Sequence, residues 1–397
     1  MKDYLLGDED RSFRDEIRHF LRTELGPNAS AIEDREDWHA ITNVVAKLGR
    51  RGYLKLMFED LYQGPLSRAG LTHATILSEE AATINYAFET TIGSALSCAY
   101  PLHRHASETL RERFLPGIVE GREIGAICVT EPDVGSDSAR MATVIDYDSA
   151  NDEFVINGVK RYISNAGKAD TYIVYGITNP EVPSQKGMSA LVVPGGTAGM
   201  TFPRNYTFLG RRGCVVGEVE FVDCRVPASN LLGKLDEGFR IMLDMFNFER
   251  IILAGAALGV ARSAFEIARC HAQSRESFGE KLGSKQLIWD MIVEMSWRID
   301  SAELLTYRAS KLYDSGQHLA KALMKPASMA KFVASETAVF CSDRTVQVLG
   351  GDGYTKDFGR AEQIYRDARA LPIVGGTTEM VKYLIACVDL PNIKPGL

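Results

Sequence analysis

The chain has 397 residues, 45% of them apolar, and is long enough to bury substantial cores in about two to four domains. Lys and Arg number 45 against 52 Asp and Glu, a formal net charge of −7. That balance excludes nucleic-acid binding through a phosphate-neutralising excess, and it excludes a polybasic hold on anionic lipid.

The N-terminus, MKDYLLGDEDRSFRDEIRHFL, is acidic and amphipathic. It has neither the apolar core of a signal peptide nor the acid-poor, Arg/Ser-rich composition of a transit peptide. Seven cysteines are scattered, odd in number and never spaced C-x-x-C. Together these features predict a reducing, cytoplasmic setting without a disulfide framework. His103 and His105 have no metal-spaced Cys or carboxylate nearby and read as surface polar residues. No apolar run is expected to reach the ~18 residues of a membrane span.

Residues 8–120 read as mostly helical, with EEAATINY and ETLRERFLPGIVEG the clearer pieces. From 121 to 230 the pattern changes. Six of the 14 prolines fall there, and β-branched or aromatic runs such as AICVT, TYIVYGI and EVEFVD alternate with Gly, Pro, Asn and Asp. That is a pattern of strands and turns. No proline lies between Pro227 and Pro326, which favours long helices, because an interior proline costs ~3 kcal/mol. Within Asp236–Ala272 the run FERIILAGAALGVARSAFEIARCHA is apolar almost all round, as in a helix buried in a large domain or at a subunit interface. Ile288, Ile292, Met295, Ile299 and Ala302 then form a packing stripe for a helix bundle. The expected division is a helical domain over 1–120, a β domain over 121–230 and a helical bundle over 231–397.

Several standard signatures are absent: there is no G-x-x-x-x-G-K-[ST] phosphate loop and no G-x-S-x-G elbow. GGDGYTKDFG lacks the third spaced glycine and follows a helical pattern, so it is no Rossmann site. Four segments can carry chemistry, and each also has an ordinary structural reading. CVTEPDVGSD (128–137) is either a strand ending in a proline turn or a strand end offering amides and the Thr130 and Ser136 hydroxyls to a polar ligand. In INGVKRYISNAGKAD (156–170), Asn157-Gly158 predicts a hairpin turn. Tyr162 and Ser164, two apart on one strand face, can line a flat heteroaromatic ligand or simply pack a sheet. SRESFGEKLGSKQ (274–286) joins two helical patterns and holds Arg275 and Gln286. VQVLGGDGY (346–354) and IYRDARALPIVGGTTEM (364–380) follow, and Gly375-Gly376-Thr377-Thr378 reads as a helix N-terminus, whose amides and dipole favour anionic or electron-rich groups.

In this order and spacing, joined by VEFVDCRVPASNLLG (219–233), the segments resemble the acyl-CoA dehydrogenase family over nearly the whole chain. The sequence departs from the family at MFEDLYQGPLSRAG (57–70), where such enzymes usually carry a Pro-Glu…Gly-Gly loop. The resemblance implies an α+β subunit: an N-terminal helical domain, a middle β-barrel domain and a C-terminal four-helix bundle. It implies non-covalent FAD, a homotetramer and an electron acceptor such as an electron-transfer flavoprotein. By the same resemblance the flavin rests against Ile127, Val129 and Thr130, with Tyr162, Ile163 and Ser164 as further contacts. Arg275, Ser277, Phe278 and Gln286 match positions that reach a neighbouring subunit's FAD, and a planar guanidinium suits a pyrophosphate. Gln347, Gly350 and Gly351 match contacts to the adenosine diphosphate half, and Thr377 and Glu379 match FAD contacts at the helix start. Ser136, which also stands among the cofactor positions, matches contacts to the pantetheine arm together with Asn247 and Arg250. The backbone at Gly375 and Gly376 matches the thioester site.

The implied reaction removes a proton from Cα and a hydride from Cβ of a thioester, either an acyl-CoA or an acyl or prolyl group bound to a carrier protein. It needs a carboxylate base, and most relatives place a glutamate directly before the Gly-Thr of the final motif. Here that position is Gly375. FNFER (246–250) matches the segment where isovaleryl-type members carry their base, which assigns the role to Glu249. Its flanks, Phe246, Phe248, Ile251, Ile252 and Leu253, predict desolvation and a raised pKa. Two alternatives stand beside dehydrogenation: a flavoenzyme running as enoyl-thioester reductase, oxidase or monooxygenase, and a catalytically silent FAD-bound scaffold.

Overall fold

The computed structural model describes residues 5–58, 60–61, 63, 70–316 and 320–393. Most of the 57–70 segment therefore lies outside the described residues. Among the described residues six α-helices form the N-terminal region: α1 (Asp8–Glu24), α2 (Ala29–Arg35), α3 (Trp38–Arg50), α4 (Leu71–Ile84), α5 (Tyr86–His105) and α6 (Glu108–Val119). Local chemistry sets several of their starts. The side chains of Asp37, Asn85 and Ser107 each accept a hydrogen bond from the amide three residues on.

The middle region is one seven-stranded sheet: β1 (Gly125–Cys128), β2 (Val144–Asp148), β3 (Glu153–Ser164), β4 (Thr171–Ile177), β5 (Met188–Pro194), β6 (Met200–Thr201) and β7 (Val216–Pro227). The order is β1-β4-β2-β3-β7-β6, with β5 on the other side of β4. The predicted turn at Asn157-Gly158 is corrected. These residues lie inside β3, where its pairing with β7 slips between Ile156 and Gly158. The Asn157 side chain accepts from the Asp223 amide at 2.8 Å, and a Cβ at Gly158 would stand 2.5 Å from Thr143 Oγ1. Glycine serves here for close strand approach, not reversal. The reversal lies between β2 and β3, with Asp152 left-handed at φ 55°.

The C-terminal region opens with α7 (Gly238–Ser274), followed by a hairpin of β8 (Glu276–Ser277) and β9 (Glu280–Lys281). Then come α8 (Gln286–Asp314), α9 (Ala320–Leu349), α10 (Gly351–Tyr354), α11 (Ala361–Ala368) and α12 (Thr378–Asp389). Helices α7, α8, α9 and α12 pack together, and α4 and α5 lie against α7. Two small residues bring α4 and α7 into backbone contact: a Cβ at Gly259 would meet the Glu79 carbonyl at 2.1 Å, and one at Gly255 the Thr75 carbonyl at 2.8 Å.

By length and composition α7 could cross a membrane, contrary to the expectation that no such stretch exists; 67% of its most apolar window is buried inside this protein. Most of its apolarity is therefore covered by its own chain. Met295, Ile299 and Ala302 of the α8 stripe are buried, with Ile288 and Ile292 packed at its edge. All seven cysteines are free. His103 and His105 are not free surface groups: their Nε2 atoms lie 2.8 and 3.0 Å from Asp60 and Asp244 carboxylates, with side chains largely covered.

Candidate active site

The site is built around the first third of α7. Phe248 turns toward α5 and stacks on Tyr100, ring centroids 4.6 Å apart and nearly parallel, which fixes the rotation of this turn. Glu249, one residue on, then faces the loop that precedes α12. As a residue it is only partly buried, but its Oε2 atom is shut off from solvent and has no hydrogen-bond partner. A Cβ built on Gly375 would lie 3.9 Å from that oxygen. Position 375 and the Glu249 carboxyl thus share one space. A side chain at 375 would also strike Leu253 Cδ1 at 2.4 Å, and the φ of +64° favours glycine.

Two buried cations hold the loop. Arg250 Nε donates to the Gly375 carbonyl at 3.3 Å, and Lys331 Nζ of α9 donates to the Gly376 carbonyl at 2.7 Å. Arg250 also reaches Asn247 Oδ1 at 3.4 Å. Burial raises the Glu249 pKa to about 7, with Arg250 and then Lys331 pulling the other way. Burial lowers Arg250 to about 10 and Lys331 to about 8. A carboxyl poised near neutrality, with its proton acceptor unengaged, is the chemistry of a general base. Thr377 caps α12 by accepting from the Met380 amide at 3.3 Å, so Gly375–Thr377 presents a helix N-terminus beside the carboxyl.

The β-domain half of the predicted site converges through a different device. The Arg161 amide donates to the Thr130 carbonyl at 2.7 Å, tying the 128–137 loop to the end of β3. Beneath it Lys160, fully buried, donates to Glu131 Oε1 at 2.8 Å and to the Val129 carbonyl at 3.3 Å. Glu131 in turn accepts from the Ala142 and Thr143 amides, which closes the loop on itself. Val129 and Ile163 are buried, Ile127, Thr130 and Ser164 half-buried, and Ser136 exposed. The expected alternation of Tyr162 and Ser164 on one face does not hold. Pairing with β7 is irregular between Lys160 and Ile163, and Tyr162 takes a left-handed φ of 59° that turns its ring outward.

Gln347, Gly350 and Gly351 lie exposed at the end of α9, and a Cβ on either glycine would meet nothing within 4 Å. Glu379 is exposed in the first turn of α12. Arg275 ends α7 and Ser277 and Phe278 stand on the β8–β9 hairpin, about 38 Å of helix axis beyond Glu249, while Gln286 opens α8. Phe278 is 98% exposed and left-handed at φ 54°, which is unusual for a bulky residue. The donor set fits a flavin dinucleotide. An apolar edge with hydroxyls lines the sheet and a helix N-terminus stands beside Glu249, while a guanidinium and an aromatic face stand at the distant hairpin and an amide at the start of α8.

Three domain families match the chain: acyl-CoA dehydrogenase N-terminal domain over residues 7–122, middle domain over 126–224 and C-terminal domain over 236–388. An acryloyl-CoA reductase (NADH) of Anaerotignum propionicum is 32% identical over 97% of this chain and 95% of its own length. The short-chain specific acyl-CoA dehydrogenase of Clostridium acetobutylicum is 32% identical over 97% and 98%. The chain belongs to the acyl-CoA dehydrogenase family. The butyryl-CoA dehydrogenase of Megasphaera elsdenii superposes with a TM-score of 0.91 at 28% identity, over 98% of this chain and all of that one.

Residues beyond the sequence reading also shape this family member's site. Lys331 was not anticipated, nor were Ser78 and Glu89, which are joined to each other and meet α7 at the Ile252 carbonyl, about one turn past Glu249. The signal was present as charge on a core stripe: Lys331 shares a buried helical face with Ala327, Ser335 and Ala338, and Glu89 with Asn85, Ile92 and Leu96.

Proposed function

We propose that this protein catalyses FAD-dependent α,β-dehydrogenation of an acyl-CoA to its 2,3-enoyl product, with Glu249 as the base. FAD, when bound, supplies the acceptor for the hydride leaving Cβ. The observation that carries the reading is the orphaned Oε2 of Glu249, which occupies the space that a side chain at Gly375 would enter. Glu249 takes the Cα proton onto this carboxyl. Arg250 and Lys331 hold two successive carbonyls of the Gly375–Gly376 loop, which aims its amides at the thioester oxygen. Burial around the carboxyl excludes the water that would otherwise stabilise its charge and weaken it as a base.

The active form in this proposal is a homotetramer. Arg275 and Phe278 stand too far along α7 to serve a dinucleotide whose flavin lies at Glu249 of the same chain, so they suit a neighbour's cofactor. The exposed face of α8, with Leu287, Trp289, Val293, Trp297 and Leu304, supplies an apolar surface for such contacts. An electron-transfer flavoprotein is the proposed acceptor. The deciding experiment is anaerobic bleaching of the bound flavin by a panel of acyl thioesters, each in CoA and carrier-protein form. Bleaching by a CoA ester is the expected result. A protein that stays yellow with every thioester, yet reoxidises rapidly in air after dithionite, overturns dehydrogenation.

A further inference from the structure

A base has to be aimed as well as buried. A glutamate carboxyl stands roughly 6 Å from its helix axis, so rotating the helix by about 10° carries it about 1 Å sideways. Misplacement on that scale can cost about 100-fold in rate. The side that Glu249 faces does little to set this aim. Position 375 is a glycine with no side chain to pack, and Glu249 Oε2 accepts no hydrogen bond.

The face of α7 turned to α5 is held far more firmly. Phe248 and Tyr100 are 1% and 2% exposed, and their rings stack 4.6 Å apart with planes at 5°. Phe248 directly precedes Glu249, so a rotation of this turn must drag its ring across Tyr100. Tyr100 is anchored in its turn. Its hydroxyl is hydrogen-bonded to that of Tyr313 on α8, with ring centroids 6.5 Å apart. A separate tie holds α5 along α7: His105 Nε2 lies 3.0 Å from Asp244 Oδ2, about one turn before Phe248. That tie fixes where α5 lies, and the stack fixes how α7 is turned against it.

We propose that Tyr100 is a positioning residue for proton abstraction: its ring holds Phe248, and through Phe248 it aims the Glu249 carboxyl at the space before Gly375. The inference rests on the acyl-CoA reading with Glu249 as base, and it adds a residue on another helix that acts only through a second aromatic ring. A Tyr100 that merely filled space could be replaced by any apolar side chain of similar size. A positioning Tyr100 needs a flat, rigid ring.

The test uses the FAD-loaded enzyme with a panel of straight-chain and branched acyl-CoAs, continued with the one that bleaches the flavin fastest. Substrate binding is read from the perturbed flavin spectrum, and the limiting rate from anaerobic reduction at saturating thioester. Tyr100→Met fills the space with an apolar chain that has no plane to stack, and the His105–Asp244 tie remains to hold α5. This variant should lose about 10- to 100-fold in the limiting rate while its substrate affinity stays within about threefold. FAD content and a cooperative melt establish that it is folded. Tyr100→Phe keeps the ring and should stay within about threefold of wild type in rate. Phe248→Met removes the same stack from the other side. It should match the loss in Tyr100→Met, and it carries the comparison if that variant does not fold. The double variant should be slower than either single by no more than about twofold, because both act through one contact.

A limiting rate near wild type in folded Tyr100→Met or Phe248→Met overturns the proposal. So does a loss that multiplies in the double variant, or one that is equally large in Tyr100→Phe. A wild-type flavin that no thioester bleaches overturns the acyl-CoA reading and this proposal together. Normal bleaching without the stack overturns this proposal alone.

Discussion

Two buried charge clusters lie along α7, and they are built to opposite rules. In the first, between α1, α4, α7 and α8, Glu79 is gripped by Arg262 Nε at 2.7 Å, by Arg14 at 3.1 Å and by the Tyr307 hydroxyl. Arg262 and Arg14 also reach Glu303. Burial opposes the charge of Glu79, but Arg262 and Arg14 outweigh it and hold the carboxyl below its ordinary range. In the second cluster neither Glu249 nor Glu89 has a cation in ion-pair range among the described residues, and burial raises both carboxyls toward or past neutrality. Carboxylates paired with buried cations fix a fold, whereas carboxyls buried without one are costly to the fold and available to chemistry. The difference separates structure from function among glutamates on neighbouring helices.

The largest expected effect comes from breaking the paired cluster. Glu79→Gln leaves two arginines facing one another without their central anion and should cost about 3–5 kcal/mol of stability. The check is the denaturant midpoint, and whatever folded protein remains should still be bleached by substrate. A stability loss under 1 kcal/mol would place Glu79 outside the structural class.

Glu249→Gln should behave in the opposite way, losing at least ~100-fold in flavin reduction while keeping FAD. It should also stabilise the protein. The folded pKa of Glu249, about 7, lies above its ordinary 4.5, so the native state binds the extra proton between those values. Stability from this group is therefore full below pH 4.5 and lost as pH rises through about 7. Above that pH the glutamine variant should be more stable than wild type by on the order of 1–3 kcal/mol, and the gain should vanish in acid. Melting curves at the two pH extremes measure this.

A smaller effect is expected at Lys331. Its charge favours the ionised form of Glu249, so Lys331→Met should move the rising limb of the flavin-reduction pH profile, centred near 7 in wild type, to higher pH. An unmoved limb with reduced rate would leave Lys331 only its hydrogen bond to the Gly376 carbonyl.

The smallest effect is a partial rescue. The swap Glu249→Gly with Gly375→Glu places a base in the same space, but its Cβ meets Leu253 at 2.4 Å and its backbone is left-handed. The swap should recover little activity alone and more when Leu253→Ala is added, as read by the rate of anaerobic bleaching.

Much of this was legible in the residues. Asp236–Ala272 announced a long buried helix by its unbroken apolarity, and Gly375, which holds no proton, turned the reading of the base to another residue. Glu249 followed from its apolar flanks and the segment it matches. Other features were not legible because they depend on partners far away in the chain. Asn157-Gly158 reads locally as a hairpin turn, and only the approach of Thr143 and β7 makes it a slip within a strand. The apolarity of α7 left burial in its own domain and burial at a subunit interface both open, and only the packing of α4, α8 and α9 shows that its own chain covers most of it.

The sequence by itself determined the order of helical and sheet regions, the family and the glycine at position 375, because each rests on residue type, periodicity or spacing along the chain. It could not rank Glu79, Glu89 and Glu249, three glutamates set in similarly apolar helices. Tertiary structure decided that, because a buried carboxyl's charge state depends on which groups surround it. Glu79 meets two arginines and ionises, while Glu249 and Glu89 meet too little positive charge to offset their loss of water.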